Sequence, residues 1–324
     1  MEHDSEILLC TEKLNVRFPV KKDSFFSKRK FVHAVSDVSL SIYKGETFGL
    51  VGESGCGKST FANATLGLVK PTDGQILFEG EKIDSKDKQS FQKIRSRMQK
   101  IFQDPATSIN PRFTVEEAIG EPVRIRGTYS ISQQSEMVGE MLKKVGLSEA
   151  DRNRYVTEFS GGQQQRIAIA RALILQPDYI VCDEPVSALD VSVHAQVLNL
   201  LMELQEQTFV TYLFISHNLA VVRRLCSRLA IMYLGKVVEY GSADRIFENP
   251  MHPYTQALIS AVLDMDQNLK KERIMLKGDV VSPIDPPPGC RFTSRCPVAR
   301  ADCSQRTCQL TEVEEDHFVS CLYI

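Results

Sequence analysis

An apolar run, Thr47–Val51, ends in Gly52-Glu53-Ser54-Gly55-Cys56-Gly57-Lys58-Ser59, after which Thr60 to Val69 reads as a helix stopped by Pro71. No other stretch limits the fold as tightly. Glycines let backbone N–H groups turn toward a phosphate, and the helix that follows adds the positive end of its dipole. Lys58 brings a charge to the β- and γ-phosphates of a nucleotide, and the Ser59 hydroxyl is a ligand for Mg²⁺. The pattern Gly-x4-Gly-Lys-Ser/Thr arises by chance in about one chain in a hundred of this size. A strand before it and a helix after it make a ligand-free glycine turn the weaker reading.

The rest of the chain reads as alternating strands and helices, hence an α/β protein. Residues 7–20 and 32–42 have strand character, with a basic, aromatic insert, Lys21 to Lys30, between them. That insert reads as a solvated loop. Residues 75–83 resemble an edge strand. From about 88 to 175 the pattern is mainly helical, with segments at 133–145 and 162–175, the latter capped by Ser160 and stopped before Pro177. Tyr179–Cys182 and Tyr212–Ile215 are short apolar runs of the kind buried in a parallel sheet, with a helix over 192–207 between them. Past about 265, Pro283, Pro286, Pro287, Pro288 and Gly289 exclude long helices and central strands. A boundary is expected there, giving units 1–265 and 266–324. With no internal repeat, each motif occurs once.

Two acids, Asp183 and Glu184, end the strand that begins at Tyr179. One carboxylate there can hold the Mg²⁺ shell, and the next can polarise a water for attack on the γ-phosphate. Acids at strand ends are common, so this pattern is weak without the glycine loop. Between the two lies Phe159-Ser160-Gly161-Gly162-Gln163, which resembles the signature motif of the ABC ATPases. The remaining parts follow in family order. Gln103, in Ile101-Phe102-Gln103-Asp104-Pro105, resembles the Q-loop glutamine; Ser187-Ala188-Leu189-Asp190 resembles the D-loop; His217 resembles the switch histidine. A lone histidine after an apolar run is usually structural, and only the ordered set reverses that reading.

The resemblance implies a nucleotide-binding cassette with a RecA-like core, an antiparallel β subdomain and a helical subdomain over about 104–175, plus a small loop-rich C-terminal extension. It implies that Gly52, Glu53, Ser54, Gly55, Cys56, Gly57, Lys58, Ser59 and Thr60 bind ATP. Ser59, Gln103 and Asp183 serve Mg²⁺, Glu184 is the general base, and Gln103 and His217 assist at the attacking water and the γ-phosphate. Ser160, Gly161, Gly162 and Gln163 would clamp the ATP of a partner cassette. The family stacks adenine on an aromatic side chain near the first strand; Phe18 is the candidate, with Phe25, Phe26 and Phe31 as alternatives and a core role for Phe18 also open. Cys56 reads as a small side chain in a turn. Because the signature of one cassette faces the phosphate loop of another, a second cassette is required.

Asp183-Glu184-Pro185-Val186-Ser187-Ala188-Leu189-Asp190-Val191-Ser192, Asn249-Pro250-Met251-His252-Pro253-Tyr254-Thr255-Gln256-Ala257-Leu258 and the tail Pro286-Pro287-Pro288-Gly289-Cys290-Arg291-Phe292 with Arg295-Cys296-Pro297 resemble the oligopeptide, dipeptide and nickel importer ATPases. That branch implies a paralogous ATPase partner in a heterodimer, two integral membrane permease subunits, an extracytoplasmic solute-binding protein, and a peripheral position on the cytoplasmic face of the cell membrane. Gln164 departs from the branch, where a basic residue is usual, and Thr157 stands where His is frequent. Neither belongs to the catalytic set. A soluble ABC ATPase with a metal- or redox-sensing tail is the competing reading.

Charge and cysteine usage bear on that choice. A formal net charge of -2 gives no basis for nucleic-acid binding. The acidic start, Met1 to Glu6, lacks the basic and apolar parts of an export signal, and no stretch approaches the roughly 20 apolar residues of a membrane helix. A reducing compartment follows, in which clustered cysteines point to metal rather than disulfides. Of 9 cysteines, Cys290, Cys296, Cys303, Cys308 and Cys321 crowd the end. Four thiolates in a loop-rich segment can hold zinc or an iron–sulfur cluster, or stay free; the lack of a CxxC element disfavours a zinc ribbon. Some members of the resembled branch carry a [4Fe-4S] cluster here. Cys290, Cys296, Cys303 and Cys321 match their pattern, and Cys308 stands apart from it.

Overall fold

In the computed structural model the described residues are 6–21, 29–84, 88–263, 274–276, 278 and 281–324. Phe25 and Phe26 lie outside them. In chain order the first elements are β1 (Ile7–Pro19), β2 (Phe31–Tyr43), β3 (Thr47–Val51), α1 (Lys58–Thr65), β4 (Asp73–Phe78), β5 (Glu81–Lys82) and α2 (Lys88–Arg95). Then come β6 (Met98–Ile101), α3 (Pro105–Ser108), α4 (Val115–Arg126), α5 (Ile131–Lys144), α6 (Gly161–Leu173), β7 (Tyr179–Asp183), α7 (Val191–Thr208) and β8 (Thr211–Ser216). The last are α8 (Leu219–Leu225), β9 (Arg228–Tyr233), β10 (Lys236–Ser242), α9 (Ala243–Glu248), α10 (Pro253–Leu263), β11 (Thr311–Glu314) and β12 (His317–Val319). The chain divides into two compact units, one of residues 1–85 and 215–324, the other of residues 86–214.

The first unit holds two sheets. β1 and β2 are long antiparallel neighbours, and β4 and β5 continue that sheet in the order β2-β1-β4-β5. Alternation buries Leu9, Val38, Leu40 and Ile42 on its inner side. In the other, β3 is buried along its whole length, as its unbroken apolar sequence requires, and pairs in parallel with β9, Leu50 beside Ala230. β9 continues antiparallel into β10.

The extension joins this second sheet. β12 pairs antiparallel with β10, Tyr240 beside Phe318, and β11 pairs with β12. These strands have 3 and 4 residues, which is why no periodic signal marks them in a proline-rich tail. Glu239 fixes the join. Fully buried, it accepts the N–H groups of Met251 (2.8 Å) and His252 (2.9 Å) and lies 2.7 Å from His317 Nε2. A buried carboxylate holds its place only with such a full set of partners.

The second unit carries β6 and β7, parallel, with Met98 beside Tyr179 and Ile101 beside Cys182. β6 has only 4 residues and a polar middle, Gln99-Lys100, so sequence periodicity reads this stretch as helical. α4 and α5 begin with capping boxes, Thr114 with Glu117 and Ser130 with Gln133. α4, α5 and α6 pack around Val115, Ile119, Val138, Leu142, Ile167 and Ile169, all buried. Among the described residues, no helix is long and apolar enough to cross a membrane.

Candidate functional site

The first unit presents the glycine loop between β3 and α1. Gly57 caps α1 at φ 110°, and a Cβ there would stand 2.1 Å from the carbonyl oxygen of Ala34. Only glycine accepts both demands. Lys58 is 6% exposed; its Nζ donates to the carbonyls of Gly52 (2.7 Å) and Glu53 (2.9 Å). The ammonium thus braces the loop through two acceptors, and an arriving phosphate must compete with them. Ser54, Gly55 and Ser59 are exposed, and Thr60 is half-buried. Cys56 is buried beneath the loop, and burial pushes its thiol above the ordinary range, so it packs as a small apolar group.

His217 follows β8 and is exposed; the next residue, Asn218, caps α8 by accepting from Ala220 N and Val221 N. Phe18 is 40% exposed near the end of β1, paired with Val32, while Phe31 is half-buried at the start of β2. Phe18 is therefore not a core residue of its sheet.

The second unit holds the carboxylates. The β6–β7 register sets residues 102–103 beside 183–184 as the two chains leave their strands. Gln103 Nε2 donates to Glu184 Oε2 at 3.1 Å, and Lys100 Nζ lies 2.8 Å from Asp183 Oδ2. Glu184 sits at φ 48°, a left-handed conformation that a non-glycine residue adopts at a cost of about 1–3 kcal/mol. Ser187 stabilises the turn, donating from both N and Oγ to the Glu184 carbonyl. Leu189 N then bonds Val186 O, and Asp190 occupies the N-cap position of α7. Ala188 is exposed on this turn. Lys100 was not foreseen, and its only signal is a lysine inside an otherwise strand-forming stretch.

Ser160 caps α6 in a reciprocal box with Gln163: Ser160 N donates to Gln163 Oε1 at 3.1 Å, and Gln163 N to Ser160 Oγ at 3.5 Å. Ser160, Gly161 and Gln163 are exposed, so the capped helix end faces solvent. Gly162 is buried against α7, where an added Cβ would meet Val193 Cγ1 at 2.4 Å.

Two residues to which the sequence assigns no role at the glycine loop reach it. Arg295 forks onto the Glu53 carboxylate, and Tyr254 OH accepts the Glu53 N–H. They lie 242 and 201 positions along the chain from Glu53, beyond the reach of any spacing rule.

The five terminal cysteines gather in the first unit. Neighbouring thiols, after burial, push Cys296 and Cys321 upward, with Cys290 and Cys303 acting on both. Cys308 is raised to about 12 by burial first, then by Cys290 and Cys321, and it hydrogen-bonds Cys290. It does not stand apart, as its spacing suggests. Backbone groups of Val298, Arg300 and Tyr323 hydrogen-bond the sulfurs of Cys296, Cys303 and Cys321 respectively. Among the described residues, no group of three or more His, Cys, Asp or Glu side chains is arranged to hold a metal ion.

Known proteins resemble the chain over nearly its whole length. The ABC transporter family matches residues 35–187, and the family of the oligopeptide/dipeptide transporter C-terminal region matches residues 238–303. The oligopeptide transport ATP-binding protein AppF of Bacillus subtilis (strain 168) is 48% identical over 321 residues, 98% of each chain. The corresponding protein OppF of Escherichia coli (strain K12) is 49% identical over 327 residues, 98% of this chain and 97% of its own. Among solved structures, the ATP-binding cassette MJ0796, dimeric with ADP and Pi in a post-hydrolysis state, has a TM-score of 0.64 at 29% identity, covering 73% of this chain and 99% of its own. The cassette cbiO1 from Clostridium perfringens, part of the complex cbiONQ, has a TM-score of 0.66 at 25% identity, covering 82% and 100%.

Proposed function

The chain belongs to the ATP-binding subunits of ABC-type oligopeptide and dipeptide transporters, and from that premise we propose that it hydrolyses ATP to drive peptide import. One observation carries the reading: a chain-long likeness to peptide-transport ATPases coincides with a complete, ordered set of nucleotide motifs. In this reading Lys58 exchanges its loop carbonyls for the β- and γ-phosphates. Glu184, held by Gln103, takes the proton of the attacking water, and His217 contacts the γ-phosphate. Mg²⁺ is an oxygen-seeking ion, and the oxygens of Ser59, Gln103 and Asp183 would hold it; bound there, it would neutralise phosphate charge. Catalysis is positioning and charge stabilisation of the transferred group. The exposed start of α6, Ser160 to Gln163, contacts the ATP of a second cassette, so hydrolysis requires a pair.

We assign as partners a paralogous ATPase, two integral membrane permease subunits and, through them, an extracytoplasmic solute-binding protein. The chain then sits peripherally on the cytoplasmic face of the membrane. Co-expression with its permeases tests this: ATP-dependent peptide uptake into vesicles is expected, and recovery of a chain that never associates with membrane subunits would overturn it. The competing reading, a free-standing ATPase with a sensing tail, has no counterpart among the relatives compared.

For the tail we propose that Cys290, Cys296, Cys303 and Cys321 hold a [4Fe-4S] cluster. The gathering of the cysteines and the backbone hydrogen bonds to three of the sulfurs support the reading; burial and the neighbouring thiols push these groups upward, so thiolates here need a metal to compensate them. Cys308, bonded to Cys290, would lie behind the ligands. Iron and acid-labile sulfide in anaerobically purified protein, lost in Cys296→Ser and kept in Cys308→Ser, is the expected result. Purified chain with no iron or sulfide would sink the assignment.

A further inference from the structure

Glu53 poses an electrostatic problem. It places a carboxylate in the loop that receives a polyphosphate, where an uncompensated negative charge opposes binding. The structure answers from the far end of the chain. Arg295 Nη1 donates to Glu53 Oε2 at 2.8 Å and Nη2 to Oε1 at 3.1 Å, the bidentate geometry that a guanidinium suits and an ammonium does not. The Arg295 side chain is 9% exposed and Glu53 27%, so the pair is partly desolvated.

A rigid platform holds Arg295. Its guanidinium lies 5.9 Å from the ring centre of Tyr233, which packs edge-on against Phe292 (5.2 Å) and Tyr254 (4.8 Å). Tyr254 is fully buried, and its hydroxyl accepts the Glu53 N–H at 3.0 Å. One loop residue is thus fixed twice, at its backbone by Tyr254 and at its side chain by Arg295. Phe292 and Arg295 belong to the cysteine segment, and Arg295 directly precedes Cys296.

We propose that Arg295 and Tyr254 are positioning residues of the nucleotide site: the C-terminal extension neutralises and orients Glu53, and ATP affinity depends on that clasp. The inference rests on the reading of Gly52–Ser59 as the ATP loop. Whatever orders the cysteine segment is then felt at the phosphates, because one peptide bond separates Cys296 from the arginine that holds the loop.

The test is a double-mutant cycle on the full chain, read as affinity for trinitrophenyl-ATP and for competing ATP. Arg295→Gln is expected to weaken binding about fivefold or more, with Arg295→Lys in between and Tyr254→Phe smaller. In a Glu53→Gln background, Arg295→Gln should add less than about twofold, because its partner is already gone. A merely structural arginine would cost the same in both backgrounds, and that result overturns the clasp. So does wild-type affinity in Arg295→Gln. If Arg295→Gln fails to fold, Arg295→Lys runs through the same cycle with the same criteria. Failure of the wild-type chain to bind either nucleotide overturns the functional reading itself.

Discussion

Gln103 and Glu184 are joined side chain to side chain, Nε2 to Oε2, at 3.1 Å. The parallel register of β6 and β7 brings them together, and the left-handed backbone of Glu184 turns its carboxylate out of the strand direction. An amide that donates to a carboxylate fixes its orientation without removing its charge, which suits a general base.

Glu184→Gln should therefore cut ATP turnover of the assembled transporter by about 10²–10⁴ while nucleotide binding persists. Phosphate release alongside equilibrium nucleotide binding measures both. Unchanged turnover would remove Glu184 from the mechanism; lost binding would make it a structural residue.

Lys58→Ala should act differently. It removes the ammonium proposed to meet the phosphates and also the brace on the Gly52 and Glu53 carbonyls. Affinity should fall by at least about tenfold, since hydrogen bonds to charged groups contribute about 1.5–3 kcal/mol. Titration with labelled ATP reads this, and a variant that binds normally but hydrolyses slowly would contradict it.

Much of this site was legible in the sequence because its elements are locally self-consistent. β3 is five apolar residues with nothing polar to confuse the pattern, and the loop after it follows from glycine and helix-end chemistry. Ser160 and Gln163 announce their helix by capping chemistry alone. β6 was not legible, because Lys100 breaks its apolar run to pair with Asp183, and that partner lies 83 positions on. The Arg295–Glu53 pair is invisible for the same reason at longer range. Cys308 illustrates the converse: spacing set it aside, but packing lays it on Cys290.

Gly162 tests packing within the signature. A Cβ at this position would collide with Val193 Cγ1, a branched side chain with little rotamer freedom. Gly162→Ala should destabilise the chain by about 1–3 kcal/mol through overpacking, and Val193→Ala should recover most of it. Urea denaturation of the single and double variants measures the coupling. Equal losses in both backgrounds would place the strain elsewhere.

The last prediction concerns pH. Burial lowers His252 from 6.5 to about 4, against a smaller upward pull from Glu239, and its Nδ1 accepts the N–H of Tyr254 at 3.1 Å. A neutral ring in the fold and a basic one in the unfolded chain mean that unfolding takes up a proton. The stability this provides is fully present above pH 6.5 and is lost as pH falls toward 4, up to about 3 kcal/mol. Glu46 has the opposite sign. Burial raises it from 4.5 to about 7 despite Arg228 at 3.6 Å, so its favourable contribution is present below pH 4.5 and lost as pH rises through 7. Across pH 4.5–6.5 the two slopes oppose each other. Relative to wild type, His252→Asn should gain stability on acidification and Glu46→Gln should gain it on going to neutral pH. Denaturation midpoints at pH 5, 6 and 7.5 decide this, and parallel curves for wild type and both variants would refute it.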